Sequence, residues 1–147
     1  MVTVTESIHL DATATRVFDY LDDPQGHVEI TPSLVGVEDI EPLPDGGKRL
    51  DFTYSIAGVT LGGELVQTVH DPPHRMTFEM SGQLNGEIDV QIAADGDGTL
   101  ITYTGDYEIP GKVLARVAEP FVRRYNEREV STLLANLKTR LEDDEGW

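Results

Sequence analysis

The 147-residue sequence contains no cysteine. Disulfide scaffolds and thiolate-held zinc or iron–sulfur sites are therefore excluded. Its histidines, His9, His27, His70 and His74, fall in neither HxH nor HExxH spacing, so no metal site is expected. There is no glycine-rich phosphate loop, no Ser/His/Asp arrangement and no nucleophile elbow, and no cofactor is implied. No apolar run approaches the ~20 residues that span a bilayer, and no basic segment leads into one. A cytoplasmic protein without stable membrane insertion is expected.

Positive charge is also scarce. Eleven basic residues face 27 acidic ones, for a formal net charge of −16. Such a surface repels nucleic acid and anionic membranes, so neither is an expected partner. Only three of the basic residues are lysines (Lys48, Lys112, Lys138), and threonine is abundant. This composition resembles that of proteins from salt-loving archaea. In molar salt the Debye length is about 3 Å and the self-repulsion is screened. An acidic protein of an ordinary cytosol is the alternative.

What the sequence has in quantity is alternation. Residues Val2–Leu10 place Val2, Val4, Ile8 and Leu10 on one side and Thr3, Thr5, Ser7 and His9 on the other, a half-buried strand. Asp11 or Thr13 can cap the next segment, where Val17, Phe18 and Leu21 recur at helical spacing. Asp23-Pro24 stops that helix, and a second short helix or turn is expected from Pro24 to Ile30. Six strand-like runs follow: Leu34–Ile40, Lys48–Ile56, Val59–His70, Arg75–Ser81, Gln83–Ala93 and Thr99–Ile109. The turns between them are hairpin-length, which predicts an antiparallel meander with one covered and one wet face.

From Gly111 to about Leu141 the sequence reads as a single helix of roughly 30 residues, about 45 Å long. Pro120 is expected to kink it near Arg116–Pro120, as a plain bend or as a hinge at a cavity mouth. The apolar stripe drifts across that proline, from Leu114, Phe121 and Tyr125 to Leu133, Leu137 and Leu141. Arg123, Arg124 and Arg128 are expected to pair with Glu119, Glu127 and Glu129 on a solvated face, or to grip a ligand anion. One domain is expected over 1–142, with 143–147 as an acidic tail.

The order of strand, two short helices, six-strand meander and long terminal helix resembles the START/Bet v 1-like superfamily, also called SRPBCC or polyketide cyclase/dehydrase-like. The resemblance is carried by Val2–Leu10, by Val17-Phe18-Asp19-Tyr20-Leu21 with Asp23-Pro24, by Asp71-Pro72-Pro73-His74-Arg75-Met76 and by Gly98-Thr99-Leu100-Ile101-Thr102-Tyr103-Thr104. It implies an α+β helix-grip fold: a seven-stranded curved antiparallel sheet wrapped around a long C-terminal helix, with two short helices after the first strand. It also implies a hydrophobic cavity between sheet and long helix. The superfamily shares no universal catalytic motif, so no catalytic residue carries over.

Three roles stay open on this reading. The first is binding, transport or sequestration of a small hydrophobic or amphipathic molecule such as a lipid, polyketide or quinone. The second is a cyclase or dehydratase moving protons with cavity tyrosines or histidines. The third is an accessory or chaperone-like domain that binds a protein partner. Expected ligand contacts are Leu50, Phe52, Tyr54, Leu65, Gln67, Phe78, Ile88, Val90, Tyr103, Leu114, Val117, Phe121 and Tyr125. Tyr107 is another inward tyrosine. Gln67, at inward parity between Leu65 and Val69, stands out because an amide on an apolar face is costly unless bonded. His9 and His70 lie at outward parity. His27 and Glu29 lie near the expected mouth, too loose a pair to assign acid–base work.

Overall fold

The computed structural model describes residues 2–56, 58–108, 110–114 and 118–145, with the side chains of 112, 114 and 143–145 excepted. The elements run β1 (Val2–Leu10), α1 (Ala14–Asp22), α2 (Pro24–Ile30), β2 (Leu34–Pro42), β3 (Lys48–Ile56), β4 (Val59–Asp71), β5 (Arg75–Gly82), β6 (Asn85–Asp95), β7 (Gly98–Glu108), α3 (Gly111–Leu114) and α4 (Glu119–Glu145). The seven strands form one antiparallel sheet in the order β1-β7-β6-β5-β4-β3-β2. This is the helix-grip architecture.

The two short helices start where side-chain chemistry allows. Thr13 Oγ1 accepts from Arg16 N at 3.2 Å and opens α1. Asp23 ends α1 and caps α2, its Oδ1 accepting from Gln25 N at 3.0 Å. Pro24 takes the first turn of α2, where a missing N–H leaves no bond unmade. Each cap is worth about 1 kcal/mol. Burying Val17, Phe18 and Leu21 contributes on the order of 5 kcal/mol, so packing rather than capping holds α1 to the sheet.

The sheet has one apolar face, built from residues such as Leu50, Phe52, Met76, Phe78, Val90, Ile92, Ile101 and Tyr103. The other face is wet. Across β1 and β7, Thr3 Oγ1 donates to Asp106 Oδ1 at 2.9 Å, and hydroxyls pair as Thr5 with Thr104 at 3.3 Å and Ser7 with Thr102 at 3.0 Å. Toward the start of β4, Gly63 pairs with Gly82. A Cβ on Gly63 would stand 2.8 Å from Phe52 Cζ and clash with the Ser81 carbonyl, so only glycine permits this close packing.

The terminal helix differs from the single kinked rod read from the sequence. A one-turn α3 and the long α4 are separate elements, and α4 begins at Glu119 with Pro120 in its first turn. Arg116, at the near end of the expected kink, lies outside the described residues. Phe121 N and Val122 N both bond the Ala118 carbonyl, at 3.0 and 3.2 Å. At this position Pro120 breaks no intrahelical bond: it starts a helix rather than kinking one. Val122, Val130, Leu133, Leu134, Leu137 and Leu141 form the buried stripe of α4, which packs chiefly on β1.

Candidate ligand-binding site

A cavity of about 40 Å³ lies where α1 and α2 cover the sheet. Its apolar wall is Leu21, Pro24, Leu34, Val37, Leu50, Phe52, Leu65, Phe78 and Ile88, and its polar members are Asp22, His27, Lys48 and Tyr54. The volume has room for about three water molecules. No described residue of α4 lines it. Its described lining comes from α1, α2 and strands β2 to β6.

One rim is a charged cluster. Asp22 Oδ1 receives Lys48 Nζ at 3.1 Å and Gln67 Nε2 at 3.0 Å, and His70 Nε2 lies 3.2 Å from Asp22 Oδ2. Lys48 also donates to Gln67 Oε1 at 3.4 Å. Burial pushes the Asp22 carboxyl up, but the hydrogen bonds from Gln67 and Lys48 outweigh it and hold the group below its ordinary value. The rim thus satisfies itself and leaves Asp22 ionised.

His27 is different. Its ring stands edge-on to Phe78, with centroids 5.8 Å apart. Desolvation pushes its pKa down to about 4, against a hydrogen bond to the Leu21 carbonyl that favours the protonated ring. Nε2 is out of solvent and has no partner. His27 is a neutral imidazole among the cavity-lining residues.

A tyrosine group draws on β3 and β7. Burial raises Tyr54, Tyr103 and Tyr107, with Glu129 adding to each and Tyr54 acting on the other two. All three hydroxyls stay protonated near neutral pH. The Tyr107 hydroxyl is buried without a partner. Glu129 accepts from Ser33 N at 2.7 Å, and the Ser33 and Tyr125 hydroxyls are joined by a short hydrogen bond, tying the α2–β2 connection to α4.

Residues 1–142 match the family described as polyketide cyclase/dehydrase and lipid transport. The chain belongs to that family. No curated protein matches the sequence. Among solved structures, a START superfamily protein from Mycobacterium smegmatis is 18% identical, with a TM-score of 0.80 over 96% of this chain and 97% of that one. A protein from Thermus thermophilus is 21% identical, with a TM-score of 0.75 over 97% and 98%. The di-domain ARO/CYC protein StfQ of the steffimycin biosynthetic pathway is 14% identical, with a TM-score of 0.78 over 99% of this chain and 52% of that one. At these identities the likeness is one of fold.

Within this polyketide cyclase/dehydrase-like fold, six of the residues expected to contact a ligand line the cavity: Leu50, Phe52, Tyr54, Leu65, Phe78 and Ile88. Gln67 is buried behind the rim, where its amide is bonded to Asp22 and Lys48. Val90 and Tyr103 are buried in the core without lining the hollow. Phe121 and Tyr125 stand 61% and 38% exposed and are not among its lining residues. The side chain of Leu114 and the whole of Val117 lie outside the described residues.

Four polar residues join the site that sequence reasoning does not assign to it. Asp22 and Lys48 carry no distinguishing pattern. His27 stands out in the sequence only beside Glu29, which instead forms a short ion pair with Arg140. His70 sits at outward parity, but a register shift between Gln67 and Val69 places it opposite Met76, a fully buried residue, and its ring packs edge-on to Phe18 at 5.4 Å. The extra residue at the bulge re-aims everything after it. Of the arginine pairs, Arg123–Glu119 forms at 3.7 Å between exposed groups. Glu129 is engaged by Ser33 instead. Among the described residues no group of His, Asp and Glu could hold a metal ion, and no helix is long and apolar enough to cross a membrane.

Proposed function

We propose that the chain binds a small hydrophobic or amphipathic molecule, such as a lipid, polyketide or quinone, in the cavity beneath α1 and α2, and serves to carry or sequester it in a cytoplasm of high salt. The single observation that supports this is the lining: nine apolar side chains against four polar ones around one hollow. Burying one ligand methylene there gives roughly 0.8 kcal/mol. The acidic, lysine-poor composition supports the salt-rich setting. Residues 1–142 act as one binding domain, with 143–147 outside it.

The hollow is half open and offers about 40 Å³ of water-sized space. A bound lipid needs several hundred cubic ångströms, so α1 and α2 must lift off the sheet. The contacts that resist this are at the two ends: Asp22 with Lys48, Gln67 and His70, and Asn136 Nδ2 with the Ile30 carbonyl at 3.0 Å.

Native mass spectrometry of protein purified from molar KCl tests the reading. A one-to-one adduct of a small apolar molecule is expected, and filling the hollow with Leu50→Trp or Ile88→Trp should abolish it. An adduct retained by both folded variants places the ligand elsewhere and defeats the proposal.

A cyclase or dehydratase role is the second reading. It is supported by His27 and Tyr54 lining one cavity and by the family's description. Turnover lost in Tyr54→Phe with ligand affinity retained would favour it. The protein-binding role has Val35 and Phe121, both more than 60% exposed, in its support, and capture in molar salt tests it.

A further inference from the structure

Positive charge is scarce in this chain, and nearly all of it is spoken for. Lys48, Arg49, Arg75, Arg123, Lys138 and Arg140 each pair with a carboxylate. Arg124 and Arg128 have no ion-pair partner among the described residues. They share one exposed face of α4 with Phe121 and Tyr125, at spacings of three, four and seven residues. Ser33 holds this face beside the start of β2, through Tyr125 and through Glu129 at 2.7 Å.

Strand β2 is an edge of the sheet. Its register slips twice, between Leu34 and Gly36 and between Glu38 and Glu41, and each slip carries an exposed apolar residue, Val35 and Ile40. Beside Ile40 stand Glu38 and Glu41, both exposed and without an ion pair among the described residues. One end of β2 is thus apolar and basic, the other apolar and acidic, about 16 Å apart. A two-fold axis between Val37 and Glu38 would bring opposite ends together, the self-complementary arrangement of a closed dimer.

We propose that this edge takes a second copy of the chain, turned antiparallel, so that Val35 of each copy meets Ile40 of the other while Arg124 and Arg128 of each meet Glu38 and Glu41 of the other. The bulges oppose a continuous ladder across the two edges, so the contact is made by side chains. Two chains of −16 repel each other in dilute salt. In molar salt that repulsion is screened beyond about 3 Å, and the touching groups keep their contact. Salt therefore drives this pair together.

Sedimentation equilibrium of the full chain tests the pairing. In about 1 M KCl the mass should be twice the 16.2 kDa of one chain, and in about 0.1 M KCl it should fall to that of one chain. Arg124→Glu with Arg128→Glu should be monomeric in both salts, as should Glu38→Lys with Glu41→Lys. Mixed in molar KCl, these two variants should form a one-to-one dimer, because each then offers the charge the other needs. Should a variant fail to fold, the native chain's lack of cysteine supplies a second measurement. A mixture of Val35→Cys and Ile40→Cys chains should oxidise to the mixed dimer in preference to either symmetric one. A monomer in molar KCl overturns the proposal and leaves this edge to a different protein. A dimer that survives both charge reversals, a mixture of variants that stays monomeric, or symmetric cross-links that outnumber mixed ones overturns the antiparallel pairing.

Discussion

Lys48 Nζ, at the start of β3, lies 3.1 Å from Asp22 Oδ1, at the end of α1. The side chains are 16% and 25% exposed, so water screens the pair only partly. Lys48→Met should lower stability by about 2 kcal/mol, because Asp22 keeps Gln67 and His70 but loses its cation. A double-mutant cycle with Asp22→Asn in urea should return a coupling above about 1 kcal/mol. A coupling near zero would class the pair with ordinary surface bridges.

Acid should unfold the protein in two stages. His27 falls from 6.5 to about 4 in the folded state, so between those values the unfolded chain binds more protons and stability rises with pH. Acidification from pH 6.5 to 4 should therefore cost about 3 kcal/mol. Asp22 and Asp89 are held below 3.8, and their contributions are lost as pH falls further, through their folded values. His9 has the opposite sign. Its hydrogen bond to Asp95 raises its pKa, so its small, exposed contribution is complete below 6.5 and is lost as pH rises through its folded value. Denaturant midpoints across pH should show His27→Gln flattening the upper acid limb and sparing the lower one.

Two phenylalanines expected to face a ligand should behave in opposite ways. Phe78 is 5% exposed and lines the cavity, so Phe78→Ala should cost about 3–5 kcal/mol, the usual range for a buried ring. Phe121 is 61% exposed, and Phe121→Ala should stay within about 0.5 kcal/mol. Thermal melts of the two variants check both values.

Removing a cap should be felt locally and modestly. Thr13→Ala and Asp23→Ala should each cost about 1 kcal/mol. Amide exchange should then quicken at Arg16 in the first case and at Gln25 in the second. Protection unchanged at those amides would show that the caps do not hold the helix starts.

Salt should stabilise rather than weaken. Raising KCl from about 0.1 to about 1 M shortens the Debye length from about 10 to about 3 Å. Ion pairs such as Arg75–Asp89, at 2.9 Å, lose some strength, but the repulsion of a −16 chain loses more. The melting temperature should rise monotonically over that range. A flat or falling curve would separate the composition from a salt-rich setting.

The strands are the most readable part of the sequence because period-two burial leaves a direct trace. Residues Lys48–Ile56 form β3 with the same bounds that alternation gives. Parity counting fails at His70, since a bulge adds one residue without altering composition. The start of α4 is hidden for a related reason: apolar residues recur at helical spacing on both sides of Pro120, and a proline looks alike whether it kinks a helix or opens one. The site is half legible. Alternation tells which face of β3 turns inward, and so finds Leu50, Phe52 and Tyr54. It does not tell which helix covers them, and so leaves Leu21, Asp22 and His27 unassigned.

The paired threonines and serines of β1 and β7 bear on how the molecule keeps to itself. A second sheet laid flat on that back would have to strip water from a row of hydroxyls and give little grease in return. Crowding at high concentration should consequently drive neighbours apart across this surface, leaving flat stacking of copies the least favoured route to self-association.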